Sequence, residues 1–332
     1  MLMDTDRIDE ADCLDALDRR IVAALQISPR AGVAEVARIL GEHERAVARR
    51  VQRLLDTGVT HCTAEFGPLL RGRGHPLHLR LKRAAGWPES ASTALAAWAE
   101  VLNVDAVAGG TGRLWCELLV ETRSALYTAT ADGVPGLPDV DVLGADFTLR
   151  TFRDESEWYV PVLTEEEEKR LRASLVQPLP GPAQPYNLTP GDVQVVEALK
   201  RNARVSLTEL AGELGFSTAT AGRRITALLE RRALRLRTVV DPTLLGRPVR
   251  ARVRLKVHPA GLEAVGGALS ACPDVLFCAA VTGQYNLLVD VCVEDEGNLY
   301  RFVVDTLGVL PHISDVGTEI VRRLPLKNGA PT

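Results

Sequence analysis

Two winged helix-turn-helix domains and two ferredoxin-like βαββαβ domains in tandem, an α+β architecture, are predicted from three observations. The first is an internal repeat: at an offset of 174, residues 14–82 align with 188–256 without a gap, and 21 positions are identical, among them Asp18/Asp192, Arg30/Arg204, Gly41/Gly215, Arg49/Arg223 and Arg50/Arg224. The second is a change of hydrophobic period within each copy, from the 3.6 of amphipathic helices to the 2 of strands. The third is the punctuation between copies by Pro178, Pro180, Pro182, Pro185 and Pro190, which neither continue a helix nor pair in a central strand. The implied domains are residues 1–72 (first winged helix-turn-helix), 73–163 (first ferredoxin-like domain), 164–187 (acidic helix and linker), 188–247 (second winged helix-turn-helix) and 248–328 (second ferredoxin-like domain).

In the second copy, Val193, Val196 and Leu199 mark a first helix, and Leu207, Leu210, Ala211 and Leu214 a second, capped by Ser206 and ended by Gly215. After the turn Gly215-Phe216-Ser217 a third helix opens, with Ser217 as N-cap and Ala221, Ile225, Leu228 and Leu229 as buried stripe. Leu234–Val240 reads as a β-ribbon, a wing carrying Arg235 and Arg237 along a phosphate backbone. From Pro248, Ala251, Val253, Leu255 and Val257 alternate with Arg250, Arg252, Arg254 and Lys256, predicting a half-buried strand with a basic face. A helix at 262–269, strands at 275–282 and 285–293, a helix near 299–306 and a strand at 316–324 complete the split βαβ order. Its helix-free face needs cover, and the other copy is the obvious candidate, making the chain an internal pseudo-dimer. Thr164 with Glu167 reads as a capping box for the acidic helix.

On the third helix, Thr220, Arg223 and Arg224 share the face away from the buried stripe, and Ser217 and Thr218 stand at its start. Guanidinium forks and hydroxyls suit base edges and phosphates in a major groove. Residues 187–256 carry 14 Lys and Arg against 6 Asp and Glu, whereas 257–332 carry 4 against 9, the footprint of a DNA-binding half joined to an acidic one. The first copy keeps Arg49 and Arg50, but Glu42, His43 and Glu44 replace Phe216, Ser217 and Thr218, removing the capping hydroxyl and adding two carboxylates. It is therefore expected to bind DNA more weakly.

A net charge of -4 excludes a wholly basic coat for nucleic acid. Acids at positions 4, 6, 9, 10 and 12 replace the basic start of a secretory signal, and no run of about 18 apolar residues exists to span a membrane. A cytoplasmic protein is expected, without membrane contact. The six cysteines form no C-x-x-C pair and no Cys/His cluster of zinc-ligand spacing, so neither a metal nor another cofactor is expected. No Ser/His/Asp or paired-carboxylate constellation stands out.

The chain resembles the Lrp/AsnC family of transcription regulators. The resemblance rests on Leu14/Asp18 and Leu188/Asp192, on Leu207–Ser217 (LTELAGELGFS), on Asp241, Pro242 and Gly246, and on Val281–Leu288 (VTGQYNLL). It implies sequence-specific DNA binding, a small-molecule effector such as an amino acid, and oligomerisation, here within one chain and in higher homo-oligomers beyond it. The matching effector turn is Thr282, Gly283, Gln284, Tyr285 and Asn286, with Gly112 set opposite Gly283 in the first copy. Many members carry Asp where this chain has Asn286, which leaves an effector's ammonium without its counter-charge. Two alternatives accompany this reading. Siroheme decarboxylases resemble the same duplicated module, but they place His and Arg between the sheets, and residues 275–282 and 285–293 contain neither. The degenerate first turn would also suit a sensor or scaffold that has lost DNA binding.

Overall fold

The computed structural model describes residues 14–66, 75–83, 95, 98, 100–109, 112–120, 122–128, 130, 140–179 and 186–324. In chain order the first copy gives α1 (Ala16–Ile27), α2 (Val33–Leu40), α3 (Glu44–Asp56), β1 (Thr60–Phe66), β2 (His75–Arg83), β3 (Val101–Val107), β4 (Arg113–Val120), α4 (Arg123–Thr128) and β5 (Val140–Arg153). Then come α5 (Glu165–Ala173), α6 (Pro190–Arg201), α7 (Leu207–Leu214), α8 (Thr218–Glu230), β6 (Leu234–Val240), β7 (Val249–Val257), α9 (Leu262–Ser270), β8 (Val275–Val281), β9 (Leu287–Val293), α10 (Glu296–Arg301) and β10 (Ile313–Arg323). They sort by kind into two units: residues 1–72 with 159–246 hold both helix-turn-helix copies, and 73–158 with 247–332 hold both sheets. The expected boundary at 72–73 lies outside the described residues. Residues 159–163, expected to close the first sheet domain, belong with the helices.

In the helical unit, each α2-like helix ends on a left-handed glycine, Gly41 at φ 70° and Gly215 at φ 68°, which frees the chain to turn sharply into the next helix. The expected caps at Ser206 and Ser217 are present, as is the Thr164/Glu167 capping box. The second-copy core gathers Val195, Val196, Leu199, Leu210, Ala221, Ile225 and Leu228. Val193, expected in that core, is exposed, and its neighbour Val195 is buried instead. Helix α5 buries Leu171 and packs on α1 and α2, with Arg20 pairing Glu167 at 2.6 Å. Part of the expected linker is thus docked structure.

The β-ribbon differs from expectation. Strand β6 is no free wing: it pairs antiparallel with β1, from Thr60 opposite Val240 to Phe66 opposite Leu234. A lone strand leaves a row of unpaired N–H and C=O groups, and its repeat equivalent supplies the matching row. The central pair is Thr63 opposite Arg237, two positions 174 apart, so the ribbon is a pseudo-two-fold joint between the copies. A reciprocal clamp flanks it. Arg30 donates to the carbonyls of Ala203 (2.5 Å) and Val205 (3.0 Å), and its counterpart Arg204 donates to those of Pro29 (2.6 Å) and Ala31 (3.0 Å).

In the sheet unit, β3-β4-β2-β5 from the first copy and β8-β9-β7-β10 from the second close into one eight-stranded barrel through β5–β8 and β10–β3. The second copy runs β7-α9-β8-β9-α10-β10, the split βαβ order, and the other sheet covers its helix-free face. Ala251, Val253, Leu255 and Val257 pack with Val265, Leu269, Leu299 and Phe302 in the helix-side core. The alternate residues overturn an expectation. Arg250 and Arg252 are buried at 9% and 3% exposure between the two sheets, where they meet acids of the other copy. Alternation identified the face; it could not say that the face was internal.

Candidate functional site

The first candidate surface lies on α8. Ser217 Oγ accepts from the Thr220 backbone N–H at 3.1 Å, fixing the start of the helix, and Ser217, Thr218 and Arg223 are exposed there. Arg223 reaches the Thr220 hydroxyl at 3.4 Å and is otherwise directed to solvent. Arg224 behaves differently: its guanidinium pairs with buried Asp192 at 2.7 Å, donates to the Thr189 hydroxyl at 3.1 Å and lies over the Phe216 ring. The first copy repeats this pattern, with Arg50 bound to Asp15 and, at 2.9 Å, to buried Asp18. The pair of identical arginines therefore divides into a clamp (Arg50, Arg224) and an exposed group (Arg49, Arg223). Sequence spacing missed Arg45 and Gln52, exposed on α3 beside Arg49; the i, i+4 step from Arg45 to Arg49 was the available signal.

The other expected DNA contacts are modified by the fold. Arg235 and Arg237 share Glu65 of the first copy, at 4.0 and 3.5 Å, across the ribbon. At the first turn, His43 caps α3 without a side-chain hydrogen bond, and Glu42 pairs with Arg20 at 3.3 Å. The regional charge count also changes meaning. Arg247, Arg250, Arg252, Arg254 and Lys256 belong to the sheet unit, leaving 9 Lys and Arg against 6 Asp and Glu in residues 187–246.

The second candidate surface is the seam between sheets at the β8–β9 turn. Thr282 donates its N–H to Phe147 O and accepts the Phe147 N–H on Oγ1, both at 2.9 Å, so this turn is stitched to β5 of the first copy. Gly283 has φ 100°, and a Cβ there would stand 2.5 Å from Asp146 Oδ1. Asp146 is 8% exposed and pairs with Arg80 at 3.4 Å; burial pushes its carboxyl up, against the opposing pull of Arg80. Gln284 is exposed, and the Tyr285 hydroxyl donates to Asp315 at 3.0 Å. Asn286 has another partner than a ligand. Its amide makes two 2.8 Å hydrogen bonds to the backbone of Val257, one accepted and one donated, fastening the turn to β7.

The first-copy turn needs a correction. Gly109, at φ 98° and 174 positions before Gly283, is the conformational counterpart of Gly283; Gly112 has φ 66°. The two seams also differ. His78 stands opposite Asp146, and its repeat equivalent Arg252 stands opposite Glu319, making Asp146 and Glu319 counterparts. Glu319 is engaged by Arg113 and by the Trp115 indole N–H at 2.8 Å.

Between the sheets lies a buried ionic network that the sequence did not reveal. Arg252 makes two 2.7 Å bonds to Asp290 and reaches Asp105 of the first copy at 3.1 Å, with its guanidinium over Trp115. Arg323 binds the other Asp105 oxygen at 2.6 Å, and Arg250 pairs with Glu155 at 3.1 Å. Burial alone would raise the Asp105 carboxyl; Arg323, Arg252 and Arg250 reverse this and hold it below its usual range. Glu117, bonded by Asn103, is pushed up by burial.

At the position in β2 equivalent to Arg252 stands His78, 1% exposed, hydrogen-bonded to Thr148 at 3.1 Å and tilted against Phe277. Burial, aided by Arg252 and opposed by Asp290, Asp146 and Asp105, lowers its pKa from 6.5 to about 4. The unfolded chain therefore binds the extra proton between these values. Stability from keeping His78 neutral is fully present above pH 6.5 and is lost as pH falls towards 4, by at most about 3 kcal/mol. Urea unfolding at pH 7 and pH 5 should show this drop in the natural protein and a smaller one in His78→Phe; equal drops would assign the acid sensitivity elsewhere.

Two kinds of domain, each present twice, define a duplicated helix-turn-helix and ferredoxin-like protein. The AsnC-type helix-turn-helix profile matches residues 14–55 and 188–229, and the Lrp/AsnC ligand binding domain profile matches 249–331. The chain belongs to the Lrp/AsnC family. It is 25% identical over 131 residues to the HTH-type transcriptional regulator FL11 of Pyrococcus horikoshii, covering 39% of this chain and 86% of that one. It is 26% identical over 145 residues to the proline dehydrogenase transcriptional activator of Rhodobacter capsulatus, covering 42% and 94%. Among solved structures, the siroheme decarboxylase NirDL with an iron-uroporphyrin III analogue aligns over 93% of this chain and 92% of its own, at 17% identity and a TM-score of 0.56. That likeness shows the fold, tandem duplication included.

Proposed function

We propose that the protein is a DNA-binding transcription regulator without enzymatic activity, whose second copy provides the principal reading helix. The observation that carries this reading is the exposed Ser217, Thr218 and Arg223 edge at the start of a properly capped second helix of a helix-turn-helix, in a chain of the Lrp/AsnC family. Thr220 supports it from a half-buried position, and Arg49 with Arg45 offers a weaker counterpart in the first copy. Arg224 and Arg50 act indirectly by holding their helices. Selection of bound fragments from a random duplex pool, followed by a salt titration, tests the reading: specific binding should weaken steeply with salt. Selection of no sequence would favour the scaffold alternative.

We further propose that a small effector binds at the Gly283 seam, and that Asp146 of the first copy supplies the counter-charge absent at Asn286. With Arg80 beside it, the pair matches a ligand carrying both an ammonium and a carboxylate, such as an amino acid. Calorimetric titration of an amino-acid panel should find a ligand whose affinity falls at least about tenfold in Asp146→Asn, the scale of one charged hydrogen bond. Gly283→Val should abolish binding, since its side chain meets the Asp146 carboxylate at a backbone angle β-branched residues avoid. Unchanged binding in both variants would place the site elsewhere.

A specific observation keeps the decarboxylase alternative in view: β2 and β7 bury His78 and Arg252 between the sheets, and β10 brings half-buried Arg323 to Asp105 at their edge. Those arginines are spent on Asp290 and Asp105 and not offered to a polycarboxylate ring. Titration with iron-uroporphyrin III followed by visible absorption would reverse this preference if a saturable spectral shift appeared.

A further inference from the structure

The copies share a fold, yet at both of their joints they carry opposite charge. In the sheet unit, the first copy contributes Asp105 and Glu155, and the second contributes Arg250, Arg252 and Arg323 around its own Asp290. The strand equivalent of Asp105, 174 positions on, is Ala279: Asp105 lies opposite Trp115 in β4 and Ala279 opposite Leu288 in β9. If a second copy closed the barrel with another second copy, Ala279 would occupy the place of Asp105. Buried Arg250 and Arg252 would then have only Asp290 between them, and half-buried Arg323 would lose its carboxylate at Asp105. In the converse pairing of two first copies, Pro76 and His78 would stand where Arg250 and Arg252 stand, leaving Asp105, Glu155 and Glu117 short of cations.

The helical unit carries an independent version of the same asymmetry. Because the ribbon is centred on Thr63 opposite Arg237, pairing β6 with another β6 would set two Arg237 side chains directly across from each other. Like charges in that position destabilise an antiparallel pair. Glu65, which Arg235 and Arg237 share, would be replaced by its equivalent Val239. The Arg30/Arg204 clamp, identical in both copies and directed at backbone carbonyls, does not distinguish among these pairings.

We propose that the two copies are mutually selective: the second copy's pairing surfaces fit a partner with acids at the positions of Glu65 and Asp105 and reject a second copy of themselves. The chain consequently closes on its own first copy and does not exchange modules with other chains. This holds whichever ligand the seam binds and whether or not the helices read DNA.

The test uses the full chain with a protease site introduced in the proline-rich segment. The protein is cut, unfolded, refolded with its two fragments in equal amounts, and weighed by native mass spectrometry. Uncompensated buried charge of this kind disfavours a pairing by about 100-fold or more, so unlike pairs should dominate and pairs of second copies should be absent. A statistical mixture of like and unlike pairs would overturn the proposal. The same measurement on protein carrying Ala279→Asp and Arg237→Thr, which give the second copy the first copy's residues at the two joints, should reveal pairs of second copies. If those variants refold and still form only unlike pairs, selection resides elsewhere and the assignment to these residues fails.

Discussion

Replacing Arg252 with methionine is expected to cost about 3–5 kcal/mol of stability, because it leaves Asp290 and Asp105 buried without their shared cation. The same figure is not a measure of what the ion pair contributes, since two charges brought out of water repay much of their desolvation to each other. Arg252→Met combined with Asp290→Leu should therefore recover a large part of the loss. Equilibrium unfolding of the sheet unit in urea measures both, and a loss below about 1 kcal/mol in Arg252→Met would show that water reaches the network.

Arg223→Ala and Arg224→Ala, adjacent and both basic, are expected to differ in kind. The first should weaken specific DNA binding by about 1–3 kcal/mol while leaving unfolding unchanged, as befits a side chain on the outer face. The second should destabilise the helical unit, because Asp192 loses its charged partner, and should lower DNA affinity only through the fraction folded. Anisotropy titrations and thermal unfolding of both variants separate these outcomes. Equal stability with equal loss of affinity would return Arg224 to the reading surface.

Much of the architecture was legible because repetition and period are local properties of the chain. The helix-turn-helix boundaries followed from Ser206, Gly215 and Ser217, whose roles depend on backbone geometry a few residues away. The split βαβ order followed from the switch at Pro248. What failed depended on contacts far along the sequence. A strand such as Leu234–Val240 reads identically whether it lies on a phosphate backbone or on a sister strand. Alternating arginines on β7 look solvated until an acid 147 positions away, Asp105, is brought beside Arg252. In sequence Asn286 reads as an absent carboxylate, whereas in the fold its amide is a backbone fastener. The division of the paired arginines into clamp and contact was in principle accessible, since Arg50 and Arg224 each have an aspartate at the head of the first helix, but only three-dimensional proximity assigns the pairs.

A pseudo-two-fold axis through Thr63 and Arg237 means that the unit presents two unlike helices in a related frame. A regulator with identical halves reads a palindrome and cannot distinguish left from right on the duplex. Here His43, Glu44, Arg45 and Arg49 stand on one side where Ser217, Thr218, Ala219 and Arg223 stand on the other. If both helices read DNA as proposed, the corresponding binding site is expected to have half-sites that differ in sequence, so that the bound protein has a direction. Polarity on the duplex would then be encoded in a single polypeptide.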